Sequence, residues 1–186
     1  CECTCSAFLC CAGACTNCTN GGGNAGWSFA TGWDGGGGDN NWSTAANWGS
    51  DAVPTSAEDV SFNATSVNAT LDAASTVKSI TFTSGYTGAF SFSSNTLTVT
   101  GNADFRSGGA INANTGSLAF TGSAAQTFIP KVTATFPAIV QNGAGGTTLL
   151  TNGLTAGNLI LTSGTLNLGT GFTHQVAGIS GNGGLD

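Results

Sequence analysis

Charge is what this sequence has least of: Asp, Glu, Lys and Arg make up 6% of its 186 residues, against roughly 25% in an average soluble domain. Basic residues are the rarest, with Lys78, Arg106 and Lys131 as the whole set beside nine acids, and the net charge is −6. Nucleic acid is held through Lys and Arg on its phosphates, so it is not expected as a partner. No run of 18 apolar residues occurs, so no helix is expected to cross a membrane. Methionine is absent, and a chain without an initiator Met reads as a processed product whose signal peptide has been removed.

Catalytic groups are scarce too. His174 is the only histidine, and a Ser-His-Asp arrangement would have only Asp104 or Asp186 to complete it. Six of the nine acids (Asp34, Asp39, Asp51, Glu58, Asp59 and Asp72) crowd into one stretch, and none lies between Phe105 and Leu185. Polysaccharide cleavage needs clustered carboxylates. The expectation is therefore a non-enzymatic protein with no catalytic residue. A solenoid hydrolase or lyase is the least favoured reading, to be revived only by an activity lost on replacing Asp34, Asp39, Asp59 or Asp72.

What the chain has in quantity is glycine, 30 residues, together with Thr, Ser and Asn. Phe, Val, Ile, Leu and Thr are spread evenly from Val60 onward, which argues against disorder, since disordered chains are poor in such residues. Short apolar runs recur: "VSFN", "KSITFTSG", "NTLTVTGN", "GSLAFTG", "PAIVQNG", "GNLILTSG", "AGISGNG". Their central residues are Phe62, Ile80, Leu97, Leu118, Ile139, Leu159 and Ile179, spaced 18, 17, 21, 21, 20 and 20 apart. A less regular second row runs through Phe105, Phe128, Leu149 and Leu168. Alternation within each unit and a period of about 20 residues predict an all-β, parallel β-solenoid. Gly and Asn supply the corners, coils stack at ~4.8 Å, and six or seven coils make a rod roughly 30 Å long. Helix is nearly excluded, because no sustained 3.6-residue period survives the glycines. An antiparallel β-sandwich is the alternative architecture. The chain divides into a Cys-rich segment (1–26), a Trp-rich opening and cap segment (27–58, with Trp27, Trp33, Trp42 and Trp48) and the solenoid repeats (59–186).

The stretch "GWDGGGGDNNWSTAANWGSDAVPTSAEDVSF" (Gly32 to Phe62) resembles the opening segment of bacterial secreted β-solenoid proteins, autotransporter passengers and related surface adhesins. "SGTLNLGTG" and "GSLAFTGSAAQTF" are similar to the repeats of the same group. The resemblance spans most of residues 32–186 and rests on composition and spacing. It implies secretion, a β-helix and a surface or adhesive role, and it carries over no catalytic residue.

A first coil exposes apolar side chains and unpaired edges. Trp33, Trp42 and Trp48 are read as a cap across that end, with carbohydrate stacking as the alternative. "DGGGGDNN" offers oxygen ligands in Asp34, Asp39 and Asn40 for calcium, although the spacing fits no standard calcium loop and a plain loop is the favoured reading. Thr81/Thr83 and Thr98/Thr100 suggest an ice-binding face, but stepping on from Thr98 by the repeat gives Ala119, Val140 and Ile160, and the threonine array breaks. Four Asn-X-Ser/Thr sequons, at Asn17, Asn41, Asn63 and Asn68, are chance products of an Asn/Thr-rich sequence.

All seven cysteines (Cys1, Cys3, Cys5, Cys10, Cys11, Cys15 and Cys18) lie at the beginning. They admit three readings. Cys15-x-x-Cys18 is the local unit of a metal or iron–sulfur site. Cys1 at the start fits bacterial lipoprotein processing, the one route to a membrane. Disulfides form the third reading, and an odd number leaves one thiol for a partner chain. The functional expectation is an extracellular structural subunit that polymerises with copies of itself, head to tail, and is locked by cysteine pairs. No cofactor is expected beyond the weak calcium and cysteine-metal candidates. The alternative is an adhesin or carbohydrate-binding segment of a larger surface protein.

Overall fold

The computed structural model describes residues 31–63 and 65–186. It is a parallel β-solenoid. Three faces turn about one core, and every pairing between strands is parallel. The antiparallel sandwich is thereby excluded; the only antiparallel contact among the described residues is the isolated bridge Trp33–Trp48. Helix is confined there to one 3-10 turn, Ala45–Asn47.

The first face stacks eight strands in chain order: Thr31–Gly32, Asp59–Phe62, Ser79–Phe82, Ala103–Asp104, Gln126–Ile129, Thr147–Leu149, Thr165–Asn167 and Gly184–Leu185. From Asp59–Phe62 onward this makes six turns of about 21 residues. The first turn is longer, since Thr31 pairs with Val60, and the excess holds the tryptophans. The second face has Ser75–Val77, Thr96–Val99, Ser117–Phe120, Ala138–Asn142, Thr155–Ser163 and Gln175–Gly181, with Thr135–Phe136 beside the start of Thr155–Ser163. The third has Ala69–Thr70, Ala89–Ser91 and Ala110–Asn112 in one ladder, and Thr135–Phe136 lies against Ala110–Asn112 without ladder pairing.

Parallel in-register pairing puts like residues over like. On the second face Leu97, Leu118, Ile139, Leu159 and Ile179 pair in succession, the spacing read from the sequence. Thr98, Ala119, Val140 and Ile160 form the neighbouring row. The first half of the predicted row needs correcting. Phe62 pairs with Phe82, and Ile80 with Val60, both on the first face, so Phe62 and Ile80 do not continue into Leu97. Phe128 does pair with Leu149, but its partner on the other side is Ala103, not Phe105. Two faces share the same alternation and similar spacing, so along the sequence they look like one row.

The core is strongly aromatic at its beginning. Trp33, Phe62, Phe82 and Phe105 stack in one column, with centroids 5.9, 4.4 and 4.8 Å apart. Tyr86 lies edge-on to Phe62 and Phe82; its hydroxyl donates to Ala89 O, and burial pushes the phenol above its ordinary range. Polar corners are satisfied internally. Buried Gln126 accepts from Gly122 N and donates to Val99 O and Gly101 O, which ties two adjacent turns through one amide.

Candidate functional site

The acids come first, because chemistry would start there. Asp39 accepts from Asn41 N, Asn41 Nδ2, Thr44 Oγ1 and Asn47 Nδ2. Four donors fill the lone pairs a carboxylate has to offer. The backbone N–H of Asn41 is the largest cause holding the Asp39 pKa below its ordinary value, followed by Asn47 and Thr44. Asp34 accepts from Gly36 N. Asn40 presents its carbonyl to Thr70 N at 2.7 Å. The three calcium candidates thus spend these contacts on holding their own loop and tying it to the third face. Among the described residues no three of His, Cys, Asp and Glu gather at a metal-binding distance.

Three more acids of this stretch also staple the chain. Asp72 accepts from Ser43 N and Ser43 Oγ, Glu58 from Thr55 N and Oγ1, and Asp59 pairs with Lys78 at 3.1 Å. These partners, as far as 29 residues apart, were not legible from local sequence. His174 Nδ1 accepts from Leu154 N at 3.1 Å, which places its proton on Nε2. That nitrogen is buried without a partner among the described residues, and no carboxylate among them bonds it to complete a triad.

The two ends of the solenoid carry more information. At the beginning, Trp33, Trp42 and Trp48 are 2%, 0% and 0% exposed. Trp48 lies edge-on to both other indoles, at 5.1 and 4.6 Å, and all three contact Phe62. Trp48 Nε1 donates to Trp42 O and Trp33 Nε1 to Val67 O. The loop that carries them covers the first strand of the third face: Trp42 N donates to Thr70 O while Thr70 N donates to Asn40 O. None of these three indoles presents an open face, so they offer no platform for stacking on a sugar. The cysteines Cys1 to Cys18 and Trp27 lie outside the described residues.

At the other end of the described residues, the final strands are paired on one side only. Gln175–Gly181 pairs only with Thr155–Ser163, and Gly184–Leu185 only with Thr165–Asn167. Leu97, Leu118, Ile139 and Leu159 are each 0% exposed, whereas Ile179 in the same row is 55% exposed. No charged residue occurs between Lys131 and Asp186 to blunt these edges. An uncharged, unpaired strand edge beside an exposed apolar row is a template for further strand pairing.

No family model matches the chain, and no curated protein or solved structure matches it.

Proposed function

We propose that this chain is a structural subunit of an extracellular filament on a bacterial surface, with solenoid ends joined head to tail and the Cys1–Cys18 segment cross-linking neighbours by disulfides. The observation that carries the reading is the 55% exposure of Ile179 at the end of a row that is otherwise fully buried. Another copy set against it would bury that row and pair the free strand. Such a contact uses different surfaces on the two partners, so it does not close on itself and grows as a fibre.

The reading assigns no catalytic residue. It is supported by acids that serve as turn staples and by a histidine occupied with a backbone N–H. The partners are further copies of the chain, with membrane contact only through a lipidated Cys1. The test is negative-stain electron microscopy of the purified protein with and without reductant. Long uniform fibres that loosen or shorten on reduction support it. Single short rods in both conditions overturn it and favour the adhesin reading.

A further inference from the structure

The two halves of the solenoid are held by different side chains. An unbroken path of ring contacts leads from Trp33 through Phe62, Phe82 and Phe105 to Phe136. No Phe, Tyr or Trp follows until Phe172, which is only partly buried and has the His174 ring as its neighbour, 6.3 Å away. Glycine shifts the other way. Twelve of the 30 glycines fall in residues 143–186, and glycine loses more conformational freedom on folding than any other residue. Between the halves the ladder lapses on the third face, where Thr135–Phe136 lies against Ala110–Asn112 without pairing.

One corner shows the change between adjacent turns. Thr147 is the register partner of Gln126, and Gln141 that of Phe120. The Gln126 amide is satisfied at both ends and reaches back to Val99 O and Gly101 O. One turn later, Gln141 Oε1 and Thr147 Oγ1 have no partner among the described residues, although the two side chains are 0% and 2% exposed. Gln141 Nε2 donates to Gly143 O of its own turn, so this amide ties no turns together. With His174 Nε2, three of the four orphaned buried side-chain atoms among the described residues lie after Phe136. Each has given up its bonds to water without replacement, which destabilises the folded state. The second half does contain a long ladder, Thr155–Ser163 with Gln175–Gly181. Backbone pairing is common to both halves, however, so the side chains decide which half is weaker.

We infer that the solenoid opens in two steps: the turns after Phe136 come apart first, while the capped aromatic turns from Trp33 to Phe105 stay folded. In a stack where each turn touches only its neighbours, unfolding of one part does not require unfolding of the rest. The segment that opens includes Gln175–Gly181 and Gly184–Leu185. The first step therefore removes the proposed end contact and leaves the tryptophan cap intact, which makes partial opening a control on assembly. The two-step opening itself does not rest on filament formation.

All four tryptophans lie between Trp27 and Trp48, so indole emission follows the capped end alone, whereas far-ultraviolet circular dichroism follows every strand. The experiment is a urea titration of the full chain read by both. Dichroism should lose part of its amplitude at lower urea than emission does, since coincident transitions are the mark of two-state unfolding. Hydrogen exchange read by mass spectrometry, at urea below either midpoint, should show amides of residues 138–161 exchanging at least about tenfold faster than those of residues 79–99. Thr147→Val removes an orphaned oxygen at nearly constant shape. It should raise the first midpoint and leave the emission midpoint unmoved, and Phe82→Leu should lower the emission midpoint. Superimposable dichroism and emission curves with uniform exchange overturn the inference, and so does emission that changes first. A Thr147→Val shift of equal size in both midpoints overturns it as well, because it would make the solenoid one cooperative unit.

Discussion

Phe62 and Phe82 are partners in register on adjacent turns, and their rings stack 4.4 Å apart and 5° from parallel. The solenoid makes this geometry inevitable, because a parallel in-register step sets equal side chains one strand spacing apart. With Trp33 and Phe105 above and below, the column concentrates aromatic surface where the core begins. Phe82→Ala is therefore expected to cost ~3–5 kcal/mol in urea unfolding, and Phe82→Leu less. A double-mutant cycle of Phe62→Leu with Phe82→Leu should show ~0.5–1.5 kcal/mol of coupling. Coupling near zero would mean that the rings act only as apolar volume.

Close stacking also explains a glycine. A Cβ added at Gly109 would overlap the carbonyl of Gly88 on the preceding turn, and backbone there cannot swing aside as a side chain tip can. Gly109→Ala should destabilise by at least ~2 kcal/mol. Gly38 makes the contrast. Its Cβ would meet nothing within 4 Å, but its φ of +79° is left-handed, so Gly38→Ala should cost only about 1 kcal/mol. Thermal midpoints of the two variants in the opposite order would refute the close-approach argument.

Asp39 predicts a pH dependence. Its carboxyl is held below 3.8 by donors that need the charged form. A depressed folded-state pKa contributes stability that is fully present above the unfolded value and is lost as pH falls through the folded one. The thermal midpoint should therefore drop on acidification between about pH 5 and pH 2, and Asp39→Asn should flatten part of that drop while lowering the midpoint at neutral pH. Calcium should leave the wild-type midpoint unchanged, because a cation would have to displace the four donors. A calcium-dependent rise would reopen Asp34, Asp39 and Asn40 as ligands.

The sequence showed its second half more plainly than its first. From Leu97 to Ile179 the turns are 20 or 21 residues long, so counting alone recovers the register. On the first face the steps from Val60 to Ile80, Ala103 and Phe128 lengthen through 20, 23 and 25 residues, and a fixed period slips from one face to the other. The continuation of the third face was hidden for a different reason: a fixed period of 21 from Ile111 points to Val132, which is 69% exposed, whereas the strand that lies against Ala110–Asn112 is Thr135–Phe136. The acids were legible as a cluster but not as staples, since Ser43 and Asp72 meet only after two turns have formed.

The proposed end contact separates folding from assembly within one row. Leu159 is fully buried beneath Ile179, so Leu159→Ala should cost ~2–5 kcal/mol and would weaken fibres only through the fold. Ile179 is already more than half exposed, and Ile179→Lys should change stability by no more than about 0.5 kcal/mol. The same lysine, however, puts an unpaired charge into any surface that buries the row, as the edge lysines of natural sheets do to prevent pairing. Filaments seen by microscopy in the wild type should therefore be missing in Ile179→Lys at unchanged thermal midpoint. Fibres of normal length from Ile179→Lys would show that subunits meet elsewhere, and would leave the open coil without an assembly role.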